Sequence, residues 1–465
     1  MKTLFIPISS NAVFRNLFLF PGSVFQTLKE YANVHPEFRI VLLQPEREYN
    51  KYNINAMEGF ETHYFTEAIH ATPPRGLVQK FFHFLYSYLL YTRTTMVLAT
   101  MGTRPGEPPA GGRRLLAPLK WLTSRTLGRS RYIRLTAVPW LFQHIFTDRP
   151  FKDVFDRHEP TLVFATHLYG WFDALLLAEA RRRGIKTIGM PAGWDHLDKY
   201  YLPFHVDRLL VPSEEIRRSA VTYQSYHPQD MTLVGYPHFD YIISRPYEIP
   251  REELLKQLEF PSDTKIILYV SGSEYCPDET DIVKTMMEWA NEGELKGNVY
   301  FAIRPYPGGR SKSKEYDKVR FEPLAQSPRV RLCWQKVWTD NRETEFFMNI
   351  MRHADIVIQV YTTVALEAVA LDRPILSTLF DGHRLLPFHQ SIRRFEEFEH
   401  FQDVIKTGAL ARAHDFAELK QLLNIFLTNP NYLRKERGLM KKELCGPLDG
   451  KASERIVKEI MTFFL

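Results

Sequence analysis

Cysteine is scarce in this chain: Cys276, Cys333 and Cys445 are its only three in 465 residues, far apart and without the spacing of metal ligands. A disulfide-stapled domain and a cysteine-built zinc centre are therefore not expected; free thiols are. Long apolar runs are missing too. A membrane-spanning helix needs about 18 or more consecutive apolar residues. The most apolar run, 81–91, is shorter and is followed by Arg93, so no transmembrane helix is expected. A strand-like segment at 3–8 starts close to Met1, so no signal peptide and a cytoplasmic location are expected. Signature motifs are lacking as well: no Gly-x-Gly-x-x-Gly after a strand, no Walker-type Gly-Lys-Ser/Thr, no His-Glu-x-x-His, no Gly-x-Ser-x-Gly and no Asp-x-Asp. Dinucleotide oxidoreduction, nucleoside-triphosphate hydrolysis, serine hydrolysis and metal-dependent sugar transfer lose their usual marks. Neither a metal site nor a resident cofactor is expected.

What is present is globular, with 45% hydrophobic and 25% charged residues, enough for two or three domains with cores of their own. The net charge of +6 is unevenly spread. Between 75 and 147 there are eleven Lys or Arg against one acid, Glu107, so this stretch carries +10 and the rest of the chain −4. Aromatics are interleaved with it, among them Phe81, Tyr88, Trp121, Tyr132 and Trp140. Such a mixture suits an anionic membrane surface, where each basic residue near the lipid contributes roughly 1 kcal/mol. Arg113, Arg114, Arg125, Arg129 and Arg131 form the candidate membrane or acceptor patch. The competing reading is a solvated face on helices whose aromatics are core. No nucleic-acid-binding pattern accompanies the charge, so no nucleic-acid partner is expected.

Strand-like and helix-like segments alternate along the chain. Strands are expected at 3–8, 39–43, 161–165, 187–190, 208–211 and 231–234, with helices at 23–32, 171–183 and 214–223. Long aromatic helices at 75–153 interrupt this rhythm, with a loop at 106–112 between them. After a linker bounded by Pro246 and Pro250 the alternation restarts, with strands at 265–270, 299–303, 330–332 and 356–360 and a final amphipathic helix at 451–464. Such alternation predicts an α/β chain of two Rossmann-like, doubly wound domains facing a central cleft, the first carrying a basic, aromatic helical insertion. The boundaries are 1–245, with the insertion at about 75–153, then a linker at 246–262, a second domain at 263–448 and a C-terminal helix at 449–465.

The run 356–376 reads as buried strand, hydroxyl-bearing turn, helix and second strand. A helix start above a strand end favours an anion, and Thr362 and Thr363 add hydroxyl donors for a diphosphate. Glu367, one turn into the helix, offers two acceptor oxygens to vicinal ribose hydroxyls. The plain alternative is a Thr363 cap on a core helix, although a reciprocal capping carboxylate belongs at position 366, which is Leu. Ser271-Gly272-Ser273 ends one strand of the second half, Arg304-Pro305-Tyr306-Pro307 another, and 381–384 a third; Arg304 is a fixed cation suited to phosphate. In the first half, His167 and Asp195 follow strands and are the candidate bases for deprotonating an acceptor hydroxyl.

The ordered set Trp194-Asp195-His196-Leu197, Val211-Pro212-Ser213, Gly235-Tyr236-Pro237-His238-Phe239-Asp240, Tyr269-Val270-Ser271-Gly272-Ser273, Arg304-Pro305-Tyr306-Pro307, Thr362-Thr363 through Glu367 to Pro374, and Asp449-Gly450-Lys451-Ala452-Ser453 resembles the GT-B glycosyltransferases. Within these it is most similar to bacterial surface-carbohydrate enzymes related to CDP-glycerol glycerophosphotransferases, over about 155–465. The resemblance implies metal-independent transfer, the donor diphosphate on Ser273 and Thr362-Thr363, the ribose or nucleotide on Glu367, and a last helix returning to the first domain. Tyr306 stands where the related pattern has His, and His196 where it has Asn, which favours a nucleotide sugar over a glycerophosphate donor. The expectation is a glycosyltransferase, peripheral on the inner face of the membrane, moving a sugar from a nucleotide diphosphate to a lipid-linked or surface-glycan acceptor. If configuration inverts, Asp195 or His167 takes the acceptor proton. The alternatives are a CDP-glycerol-type polyol-phosphate transferase, a nucleotide-sugar epimerase of the same fold, and a catalytically inactive GT-B scaffold.

Overall fold

The computed structural model describes residues 1–48, 64–102, 115–306, 316–334 and 341–464. The chain forms two compact units: unit 1 comprises 1–95, 115–241 and 446–465, and unit 2 comprises 96–114 and 242–445.

Unit 1 is built on seven strands: β1 (Lys2–Pro7), β2 (Phe38–Pro45), β3 (Tyr64–Ile69), β4 (Leu162–Ala165), β5 (Lys186–Gly189), β6 (Arg208–Val211) and β7 (Met231–Leu233). They lie in the order β3-β2-β1-β4-β5-β6-β7, all parallel. Parallel strands are covered on both faces, so they read as continuous apolar runs rather than alternating ones. β4, Leu-Val-Phe-Ala, is fully buried. Chain order reverses direction between β1 and β4, which is where an open parallel sheet leaves a crevice at its C-terminal edge. The insertion between β3 and β4 is helical, with helices Leu77–Ser87, Arg93–Thr100, Ala117–Arg125, Val138–Ile145 and Lys152–His158. The expected loop at 106–112, like Arg113 and Arg114, lies outside the described residues.

The C-terminal helix Ala452–Thr462 belongs to unit 1 and packs on Val24–Val34. Asp240 caps it from a distance, its carboxylate accepting from Ala452 N at 2.9 Å and Ser453 N at 2.7 Å. Two of the four amide groups that a helix start leaves unsatisfied are met in this way.

Unit 2 has six strands: β8 (Thr264–Val270), β9 (Asn298–Arg304), β10 (Val330–Leu332), β11 (Ile356–Gln359), β12 (Ile375–Thr378) and β13 (Leu410–Ala413). Their order, β10-β9-β8-β11-β12-β13, is again parallel throughout and again reverses at the first strand, between β8 and β11. Its core gathers Ile267, Tyr269, Phe301, Ile358, Leu376 and Phe426, all under 2% exposed. Each such side chain contributes about 1.5–3 kcal/mol on burial. The segment expected as a linker holds a helix, Arg251–Gln257, and is part of this unit.

Two edge strands, β3 and β13, were not anticipated in the sequence. Edge strands carry polar and small residues, and here Tyr-Phe-Thr-Glu-Ala-Ile and Leu-Ala-Arg-Ala lack a buried-strand signature.

Candidate functional sites

In unit 1, the loops after β1 and β4 meet at the reversal point. Ser9 Oγ donates to Asp173 Oδ2 at 2.6 Å and lies 3.3 Å from His167 Nδ1, while the His167 amide donates to Asp173 Oδ1 at 3.2 Å. Asp173 sits in the first turn of the helix Trp171–Arg182 and is 0% exposed. Burial holds its carboxyl above the ordinary range, opposed by the neighbouring His167 ring and by the Ser9 hydroxyl. The helix cap is Gly170, whose φ of −62° any residue could adopt. Glycine is needed there for space, because a Cβ would lie 2.7 Å from His167 Nδ1.

The second sequence candidate, Asp195, lies on the segment after β5. Its carboxylate oxygens are 3.4 Å from Lys199 Nζ and 3.6 Å from His196 Nε2. Burial lowers His196 to a pKa of about 4, so its ring is neutral at pH 7. Tyr169 is stacked on Tyr200, with centroids 3.8 Å apart at 5°, and its hydroxyl is 3.5 Å from His196 Nε2. His167 and His196 have ring centroids 6.0 Å apart, so the structure does bring the segments of both candidate bases together. The whole 193–200 loop is clamped: Asp198 accepts from Thr94 at 2.6 Å and its carbonyl from Thr92 at 2.7 Å, and Gln224 donates to the Leu197 and Tyr200 carbonyls.

In unit 2, three neighbouring strands carry candidates to one edge. Arg304 ends β9, Ser271 to Ser273 follow β8, and Thr362 and Thr363 follow β11. Because the strands are parallel and contiguous, these chain exits share one side of the sheet. The Arg304 guanidinium lies over the Phe347 ring, 4.1 Å from its centroid. Thr362 donates its amide to Gln359 Oε1 at 2.6 Å, and its Oγ1 has no hydrogen-bond partner among the described residues. Thr363 precedes the helix Val364–Ala370, is exposed and makes no side-chain capping bond, so the plain capping alternative is not what the structure contains. Glu367 lies inside that helix and is 7% exposed.

The glycine turn after β8 is held from beneath by an ionic cluster invisible in the sequence. Ser271 Oγ lies 2.7 Å from both Glu279 and Asp317, so its hydroxyl is committed inward. Glu279 also accepts from Gly272 N at 2.8 Å, and Asp317 from Tyr306 N at 2.8 Å. Arg320 pairs with both carboxylates and donates to the Ser271 hydroxyl and the Cys276 carbonyl. A Cβ on Gly272 would lie 2.5 Å from Cys276 Sγ, which explains glycine at that position.

Three of the nine non-glycine residues with left-handed backbone among the described residues, Leu168, Ser273 and Tyr361 (φ 43°, 57° and 44°), each follow a strand that flanks one of the two reversal points. Backbone held in this costly region gathers where loops are shaped for a task. Ser9, Asp173, Glu279, Asp317 and Arg320 were not anticipated. A usable signal was an acid in the first turn of a helix that follows a strand, which Asp173, Glu279 and Glu367 all share.

The described part of the candidate patch, Arg125, Arg129 and Arg131, lies on the surface of unit 1. Among the described residues, eleven of nineteen exposed large hydrophobic side chains lie at 77–81 and 115–140, including Phe81 (64%), Trp121 (51%), Tyr132 (70%) and Trp140 (57%). Arg125, Arg129 and Arg131 are exposed beside them, whereas Phe82, Tyr86, Phe142 and Phe146 are core. No helix among the described residues is long and apolar enough to cross a membrane.

No protein-family model matches this sequence, and no curated protein matches it. Solved structures do resemble it in fold. A Listeria monocytogenes protein provisionally described as a UDP-N-acetylglucosamine 2-epimerase is 13% identical, with a TM-score of 0.55 over 100% of this chain and 97% of its own. The UDP-GlcNAc 2-epimerase of Neisseria meningitidis bound to UDP-GlcNAc is 13% identical, with a TM-score of 0.54 over 99% and 100%. The S. aureus MnaA–UDP structure is 12% identical, with a TM-score of 0.53 over 100% and 97%. The chain has the two-domain α/β fold of the GT-B type.

Proposed function

We propose that this chain is a metal-independent glycosyltransferase that takes a sugar from a nucleotide-diphosphate donor bound at the unit 2 reversal point. The observation that carries the reading is the exit of Arg304, Ser271-Gly272-Ser273 and Thr362-Thr363 from three contiguous parallel strands at the reversal point of a doubly wound sheet. A departing diphosphate needs positive charge and directed N–H and O–H donors, held in place before the reaction. Arg304 over Phe347 and the Thr362 hydroxyl, which has no hydrogen-bond partner among the described residues, are groups of that kind; the glycine turn, its Gly272 amide committed to Glu279, contributes a fixed position rather than a donor. Glu367 is assigned to the ribose hydroxyls.

For an inverting transfer, the acceptor oxygen bonds to the anomeric carbon as the bond to the diphosphate breaks, the electron pair leaving with the diphosphate. The acceptor proton goes to a base, for which His167 and Asp195 are the candidates. The acceptor is a lipid-linked or surface glycan, and the exposed aromatic and basic side chains of unit 1 hold the enzyme on the inner face of an anionic membrane.

A melting-temperature screen with UDP, GDP, CDP, CMP and TDP tests the donor claim, since a ligand that binds only the folded state raises its stability by about 2.7 kcal/mol at a hundredfold excess over Kd. No shift with any of them removes the reading. A second reading is favoured by the proteins whose fold this chain shares: a nucleotide-sugar 2-epimerase, which changes donor configuration without an acceptor. Incubation with UDP-GlcNAc alone separates the two, because an epimerase produces the 2-epimer and a transferase does not.

A further inference from the structure

We infer that Ser9 and Asp173 form a hydroxyl relay that fixes the tautomer of His167, with the proton on Nδ1 and the basic lone pair on Nε2. The relay deepens the transferase reading, on which its purpose rests, by choosing His167 as the base.

Counting protons at Ser9 leads there. The hydroxyl has one proton, and a contact of 2.6 Å to Asp173 Oδ2 has the length of a hydrogen bond from a hydroxyl to an ionised carboxylate. With that proton committed, only oxygen lone pairs face His167 Nδ1 at 3.3 Å. Two lone pairs would repel, so the contact is favourable when Nδ1 carries hydrogen. A neutral imidazole then has its lone pair on Nε2. The ring edge is held by two further features. The His167 amide donates to the other Asp173 oxygen, and Gly170 leaves the room at Nδ1 that any side chain would fill. If Nε2 takes up a proton, the resulting cation points its Nδ1–H along the chain to a buried carboxylate, which stabilises it.

The groups facing this ring make the choice sharper. Asp195 has its negative charge opposed by Lys199 at 3.4 Å, which weakens it as a base. His196 is neutral and lies beside Asp195, and Tyr169 packs edge-on against both imidazoles. Ser9 and Asp173 are thus positioning residues, and His167 is the group they aim.

The test needs no substrate. Full-length protein labelled with ¹⁵N at histidine, with His167→Gln to assign the signal, is examined by proton–nitrogen NMR at a pH where the ring is neutral. His167 should show a protonated Nδ1 and a bare Nε2. Ser9→Thr, which keeps the hydroxyl, should preserve that pattern. Ser9→Ala should move the signal toward the Nε2–H form that imidazole prefers in water. A wild-type ring protonated on Nε2, or a Ser9→Ala spectrum unchanged from wild type, overturns the relay; the wild-type spectrum decides the matter even if Ser9→Ala does not fold. Melting with UDP, GDP, CDP, CMP and TDP is recorded on the same wild-type sample. No shift with any of the five while the tautomer stands would defeat the transferase reading and leave the relay standing.

Discussion

Arg320 is the counter-ion on which the glycine turn of unit 2 depends, and Arg320→Met is the perturbation that exposes this. The substitution keeps most of the side-chain volume and removes the charge shared by Glu279 and Asp317, both of whose side chains are 1% exposed. Removing one partner of a buried ion pair leaves an uncompensated charge and costs about 3–5 kcal/mol. For a unit of this size a loss of 1 kcal/mol lowers the melting temperature by roughly 2–4 °C, so the expected drop is about 6–20 °C. pH gives the sharper check. Burial holds the Glu279 carboxyl above its ordinary range, and Arg320 is the largest opposing influence. A carboxyl raised in this way contributes stability that is complete below its unfolded pKa and lost as pH rises through the folded value. Without Arg320 the folded value rises further. The deficit of the variant should therefore be small near pH 4, about the unperturbed carboxylate pKa, and larger at pH 8. Urea unfolding of wild type and variant at the two pH values measures it. Adding Glu279→Gln, which removes one orphaned charge, should recover part of the loss. A deficit under about 1 kcal/mol at high pH, or one equal at both pH values, would refute the view of the cluster as a mutually dependent buried network.

Glu367→Ala should weaken nucleotide-diphosphate binding by about 1–3 kcal/mol, roughly five- to 150-fold in Kd, for the loss of charged-acceptor hydrogen bonds; calorimetry showing unchanged affinity would remove Glu367 from the ribose. Arg125, Arg129 and Arg131 changed together to Ser should reduce binding to anionic liposomes and its salt sensitivity, and equal sedimentation of variant and parent would end the membrane claim. Asp198→Ala should destabilise unit 1 by about 1–3 kcal/mol, since Thr94 loses its buried acceptor, and hydrogen exchange should quicken across 193–200. Unchanged exchange there would show that the loop is held by other contacts.

The alternation of apolar runs with helical segments was enough to read two doubly wound parallel sheets, because strands covered on both faces carry an unmistakable continuous apolar signal. β6 and β10 were placed residue for residue as 208–211 and 330–332. The edge strands β3 and β13, each paired along one side only, carry no such signal and emerged only from the pairing. The basic and aromatic character of 75–147 was also plain from composition. Composition does not say which aromatics point outward, and packing divided Trp121 and Trp140 from Phe142 and Phe146.

By itself the sequence determined the fold class, the local chemistry at the strand ends and the residue types able to meet a diphosphate or a proton, since each depends on neighbours along the chain. Tertiary structure alone decided the partnerships. Ser9 and His167 are separated by 158 positions, and Ser271 and Arg320 by 49, yet each pair is in hydrogen-bonding contact. Parallel strand order sets such meetings, because the reversal of winding at β1 and β8 juxtaposes loops that the chain leaves far apart.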